Sequence, residues 1–99
     1  MRDQILKNFG ELSAADVRST SMGASGCDVL LSTAARQLFP FSIECKNRAR
    51  IAVYADYEQA ESNSEPDTFP LLVIKQNHSE PLAILSLDDF MRLLKHEGK

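Results

Sequence analysis

Two apolar segments, Cys27-Asp28-Val29-Leu30-Leu31-Ser32 and Pro40-Phe41-Ser42-Ile43-Glu44-Cys45-Lys46-Asn47, each carry a carboxylate inside what otherwise reads as a strand. Neither shows clean polar/apolar alternation, and near-continuous apolar runs belong to central strands covered on both faces. Side chains alternate faces along a strand, so Glu44 and Lys46 share one face while Ile43 and Cys45 share the other. Asp, Glu and Lys are rarely buried unless paired, so Asp28, Glu44 and Lys46 need a common explanation.

An antiparallel hairpin turning at Thr33 to Gln37 and centred near Arg36 sets Asp28 directly across from Glu44, the two being equidistant from that centre. Like charges directly opposite each other destabilise a sheet, so the arrangement calls for a cation between them. Two carboxylates, a backbone carbonyl and waters are the oxygen ligands that suit Mg²⁺ or Mn²⁺, and no thiolate or imidazole cluster points to zinc. The plainer alternative is that Glu44 and Lys46 form a surface ion pair on an edge strand.

The 99 residues make one domain, 1–99, large enough for a single core but small enough to gain from a partner. With 43% apolar and 25% charged residues the composition is that of a globular chain. No apolar run approaches the roughly 20 residues that span a bilayer, and Met1-Arg2-Asp3-Gln4 lacks the apolar stretch of a signal peptide, so a cytoplasmic location without membrane contact is expected. Cys27 and Cys45 then remain reduced core thiols, too few for a zinc knuckle. A net charge of −3 argues against a broad basic nucleic-acid coat but not against a local one.

Along the chain, Ile5, Leu6 and Phe9 predict a short amphipathic helix over Asp3 to Phe9, followed by a strand at Ala15 to Thr20. The small-residue loop from Ser19 to Gly26 exposes backbone N–H groups that suit a phosphate, or is a plain turn. Strands at Cys27 to Ser32 and Pro40 to Asn47 are followed by a helix over Val53 to Ser62, which Asn63-Ser64-Glu65-Pro66-Asp67 ends. Strands at Pro70 to Lys75 and Pro81 to Leu85 flank a polar hairpin loop containing His78, read as solvated. Ser86 then caps a last helix, with Asp88 and Asp89 in its first turn and Phe90, Leu93 and Leu94 on one face. The class is α+β, a central mixed sheet of about five strands flanked by helices in the order α-β-β-β-α-β-β-α.

This order, with Ser25-Gly26-Cys27-Asp28-Val29, then Phe41-Ser42-Ile43-Glu44-Cys45-Lys46, then Tyr57-Glu58-Gln59 on the following helix, resembles the PD-(D/E)xK nuclease superfamily. Within it the likeness is to small Holliday junction resolvases of the archaeal type and to short phage nuclease domains. It covers about Ala15 to Ile74, with Cys27 where the motif has its proline. The resemblance implies a restriction-endonuclease-like core in which Asp28, Glu44 and the Cys45 carbonyl bind Mg²⁺, Lys46 orients or helps deprotonate the attacking water, and Gln59 faces the site. Family members often add an acidic residue from the first helix, for which Asp3 and Glu11 are the candidates.

Arg18, Ser25, Arg48 and Arg50 make a local rim for the phosphate backbone, with Lys75 nearby. Tyr54 and Tyr57 suit base stacking or, preferentially, helix–sheet packing. The expected activity is Mg²⁺-dependent hydrolysis of phosphodiester bonds in DNA, selective for a Holliday junction or other branched structure. A homodimer is expected because two cuts need two sites. Against it stand a catalytically silent nuclease-like module that binds nucleic acid or a protein partner, and a small α+β interaction protein in which the motif is accidental.

Overall fold

A computed structural model describes residues 1–19 and 29–97, the last two by their backbone alone. Five strands, β1 (Val17–Ser19), β2 (Val29–Leu31), β3 (Phe41–Asn47), β4 (Phe69–Lys75) and β5 (Leu82–Ile84), form one sheet in the order β1-β2-β3-β4-β5. Four helices accompany it: α1 (Arg2–Asn8), α2 (Thr33–Leu38), α3 (Val53–Ser62) and α4 (Leu87–Glu97). Neighbouring strands are antiparallel except β3 and β4, which run parallel with Glu44 beside Leu72 and Lys46 beside Ile74. A parallel pair needs a long crossover, and α3 supplies it.

The α+β class and the mixed five-stranded sheet agree with the sequence reading, and α3 occupies the span expected of it. One connection differs. Thr33 to Leu38 is a helical turn and a half, because Ser32 Oγ accepts the Ala35 N–H at 3.1 Å as a cap and Ala34, Ala35, Arg36, Gln37 and Leu38 include strong helix formers. Among the described residues β2 and β3 pair antiparallel with Val29 opposite Ile43. Asp28 itself, with Ser25 and the loop from 20 onward, lies outside the described residues.

Alternation along β3 divides the molecule into two layers. Ile43 faces the main core with Ile5, Leu12, Val17, Val29, Ala35 and Leu71, under α1 and α2. Phe9, Phe39, Phe41 and Phe69 extend this core in a chain of ring contacts with centroids 4.9 to 6.0 Å apart. Each fully buried aliphatic side chain in it contributes roughly 1.5–3 kcal/mol. The other face of β3 presents Ser42, Glu44 and Lys46 to α3, whose inward residues are correspondingly small or polar: Asp56 and Ala60 are buried.

β3 has a strand on each side, so a surface ion pair on an edge strand does not describe Glu44 and Lys46. Helix α4 starts at the Ser86 cap, whose Oγ accepts the Asp89 N–H at 3.1 Å. Its apolar residues divide: Leu93 is half-buried, whereas Phe90 and Leu94 are exposed.

Candidate functional site

Glu44 lies mid-strand in β3, beside Leu72 of β4 and beneath α3, and only 5% of its surface reaches solvent. Lys46, two residues on, projects to the same face and brings Nζ within 3.4 Å of Glu44 Oε2; its side chain is 15% exposed. The other carboxylate oxygen, Oε1, accepts a hydrogen bond from Asn63 Nδ2 at 3.2 Å. A buried carboxylate is thereby satisfied by one cation and one amide, as burial demands.

Asn63 is placed by the way α3 ends. It is the C-cap residue, and the loop beyond it folds back over the start of β3: the Glu65 N–H donates to Ser42 Oγ at 2.9 Å, and Ser42 and Thr68 share a hydroxyl hydrogen bond of 2.6 Å. An ion pair between Arg36 of α2 and Glu65 ties the same loop down from the other side. The segment that reads in the sequence as a helix breaker is therefore a clamp on the Glu44 end of the site.

At the opposite end, Arg48 donates to Asp56 Oδ1 at 3.1 Å, and Asp56 Oδ2 is buried with no hydrogen-bond partner among the described residues. The backbone around Arg48 is fixed by its own N–H to Lys75 O at 3.2 Å and by Gln76 Nε2 to Ala49 O at 2.9 Å. Asn63 meets Glu44 while Asp56 meets Arg48, so α3 runs antiparallel to β3. The two elements enclose a polar strip of Ser42, Glu44 and Lys46, with Asp56, Asn63 and Arg48 at its ends. Tyr57 braces the arrangement, accepting the Ser86 N–H at 2.9 Å and donating to Pro70 O at 3.4 Å.

The expected site residues are distributed unevenly over this strip. Glu44 and Lys46 come together as the spacing requires. Gln59 lies on the exposed side of α3, and among the described residues no ion pair or hydrogen bond joins it to either. Cys45 points to the core face, which leaves its backbone carbonyl, not its thiol, as the group named for a ligand. Arg18 lies opposite Leu30, alternates with the core residue Val17, and so shares the Glu44 face of the sheet, where it and Leu30 are exposed. Arg50 is exposed; Arg48 is half-exposed and already engaged by Asp56. Asp3 makes an exposed pair with Arg2.

His78 sits at the tip of the β4–β5 hairpin with φ of 61°, in the left-handed region that turn residues enter. Tyr54 is 87% exposed.

Asp56 and Asn63 are the site residues that the sequence reading passes over. Their signal is present: with Ala60 they fall at helical spacing, four and then three residues apart, forming a stripe that matches the polar face of β3. No hydrophobic periodicity marks that stripe, because two of its three residues are polar and the third is alanine.

The oxygens of β3 on this face are the Ser42 hydroxyl and the Glu44 carboxylate, hard ligands by type, and the carboxylate is engaged by Lys46 Nζ and Asn63 Nδ2. Among the described residues no three His, Cys, Asp or Glu side chains converge on one point, and Glu44 is the described member of the expected Asp28–Glu44 pair. The chain matches no protein-family model, no curated protein and no solved structure. Among the described residues no helix is long and apolar enough to cross a membrane.

Proposed function

We propose that the chain is a Mg²⁺-dependent DNA endonuclease of PD-(D/E)xK type, acting on branched DNA as a homodimer. The observation that carries the reading is the Glu44–Lys46 pair on the helix-covered face of a central strand. A buried acid and base two residues apart on β3 have no role in the apolar core, which occupies the other face. Glu44 and Asp28 would hold the ion together with the Cys45 carbonyl, and the bound ion supplies Lewis-acid polarisation and a lowered pKa for water. Lys46 places a positive charge where negative charge develops during phosphodiester hydrolysis. Arg18, exposed on the same face, offers a contact for the DNA backbone as it approaches, and Arg50 offers another.

The second reading, a silent nuclease-like module that binds nucleic acid or a protein partner, draws on one specific observation: both Glu44 oxygens are already engaged, by Lys46 and Asn63.

Single-turnover nicking of labelled junction, flap and linear DNA, beside calorimetric titration of Mg²⁺ and Mn²⁺, separates the two. Under the nuclease reading Asp28→Ala abolishes cleavage and weakens metal binding, while Lys46→Ala keeps metal binding and slows cleavage by about 10²–10³. DNA binding in Ca²⁺ changes little in either variant. Wild-type protein that binds DNA but shows no metal-dependent cleavage of any of these substrates would establish the binding module instead.

A further inference from the structure

Helix α4 is amphipathic, yet it turns the wrong face outward for a helix that serves only its own core. Leu87, Phe90, Met91 and Leu94 recur at the i, i+3, i+4, i+7 spacing of a single helical stripe and are 72%, 46%, 51% and 52% exposed. The residues half-buried against the body of the molecule are instead Ser86, at the cap, and Asp89 and Leu93. An exposed stripe of four large apolar side chains, rimmed by charge, marks an interaction surface.

The charges beside the stripe indicate which partner fits. Asp88 and Lys95 are seven residues apart, two helical turns, and lie on the same flank of the stripe. When two copies of one helix pair antiparallel about a two-fold axis, equal flanks face each other and the N-terminal half of one meets the C-terminal half of the other. With the axis near Met91, Asp88 faces the partner's Lys95 and Lys95 faces the partner's Asp88, while Leu87 packs on the partner's Leu94. Parallel pairing sets no such match. Lys95 has no ion-pair partner among the described residues, and Asp88 has only the exposed Arg92 of its own helix at 3.2 Å.

A four-residue stripe falls short of the roughly 800 Å² per partner of a standard interface. The antiparallel arrangement supplies more, because it carries the partner's Leu94 toward an apolar groove of about 310 Å³ that Leu87 lines together with Tyr54, Tyr57 and Ile84. Tyr54, exposed in the single chain, is covered at the rim of that groove in the pair. We propose that α4 is a self-association surface: two copies of this chain pair through antiparallel α4 helices, with the Leu87–Leu94 stripe as the contact and the Asp88–Lys95 pairs setting the direction. The pairing stands on α4 alone and is independent of whether the Glu44 site cleaves DNA.

Sedimentation equilibrium of the whole chain from about 10 µM to about 1 mM tests it. The wild type shifts with concentration from 11.0 kDa toward twice that mass. Phe90→Asp and Leu94→Glu, both at exposed positions and checked for folding by circular dichroism, hold it at the single-chain mass. Asp88→Lys or Lys95→Asp alone weakens association at least about tenfold, since each sets like charges face to face. Mixing those two variants restores association, because one chain then carries lysine at both positions and the other carries aspartate at both, and these flanks meet only in the antiparallel pairing. A wild type that stays at 11.0 kDa throughout overturns the proposal, as does a dimer indifferent to Phe90→Asp or a mixture no tighter than its components.

Discussion

Asn63 Nδ2 donates to Glu44 Oε1 across 3.2 Å, joining the residue that caps α3 to the middle of β3. The contact spans the crossover that makes β3 and β4 parallel, so it reports on whether α3 is seated. Asn63→Ala removes a hydrogen bond to a buried charge and lowers stability by about 1.5–3 kcal/mol. Asn63→Asp loses more, since it adds a second negative charge beside Glu44. Urea midpoints with an unchanged slope check both; equal losses in the two variants would remove charge from the explanation.

Breaking the Glu44–Lys46 pair from one side leaves the other charge buried. Lys46→Met and Glu44→Gln are each expected to cost about 3–5 kcal/mol, and the double variant is expected to recover most of the loss. The double-mutant cycle is the measurement, and additive losses would show that the 3.4 Å pair carries no coupling.

Arg48 is more dispensable for solvation than its partner, because it is half-exposed while the Asp56 side chain is 9% exposed. Arg48→Met therefore destabilises by about 1.5–3 kcal/mol, through the carboxylate it abandons. Asp56→Asn retains the acceptor for Arg48 and removes the buried charge, and it costs less. Thermal melts of the two variants decide the ranking, which reverses if the unpartnered Oδ2 has a cation that Asn cannot replace.

Asp16 gives the acid limb of stability a specific source. Its carboxylate accepts the Ser13 backbone N–H at 2.8 Å and the Ser32 hydroxyl at 2.7 Å, and these hydrogen bonds hold its pKa below the ordinary 3.8. An acid with a depressed folded pKa contributes its full stabilisation above 3.8, and the contribution is lost as pH falls through the folded value. Asp16→Asn flattens the pH dependence of the urea midpoint in that acid window and leaves its slope near neutrality unchanged. A variant that follows the wild-type curve below 3.8 would remove Asp16 from the account.

Much of this molecule was legible from local pattern. The near-continuous apolar runs at Val29 and Phe41 gave central strands, the helix formers from Val53 to Ser62 gave α3, and strand alternation alone put Glu44 with Lys46 and Ile43 with the core. The connection from Ser32 to Leu38 was harder, because the short span fits a turn until the serine cap and the run of helix formers are given weight together. The resemblance implies that Gln59 faces the site, but which side of α3 faces the sheet depends on how the helix docks. That rotation buries Asp56 and Ala60.

What the sequence determined by itself is therefore whatever follows from neighbours in the chain: periodicity of two along a strand, propensity along a helix, and the shared face of an acid and a base two residues apart. What only the tertiary structure decided is the company these residues keep. Asn63 and Asp56 reach β3 because a parallel crossover lays α3 antiparallel to it, and the apolar stripe of α4 faces outward because Ser86, Asp89 and Leu93 are turned toward the body of the molecule. Each of these contacts joins residues far apart along the chain, and no local spacing fixes the rotation of one element against another.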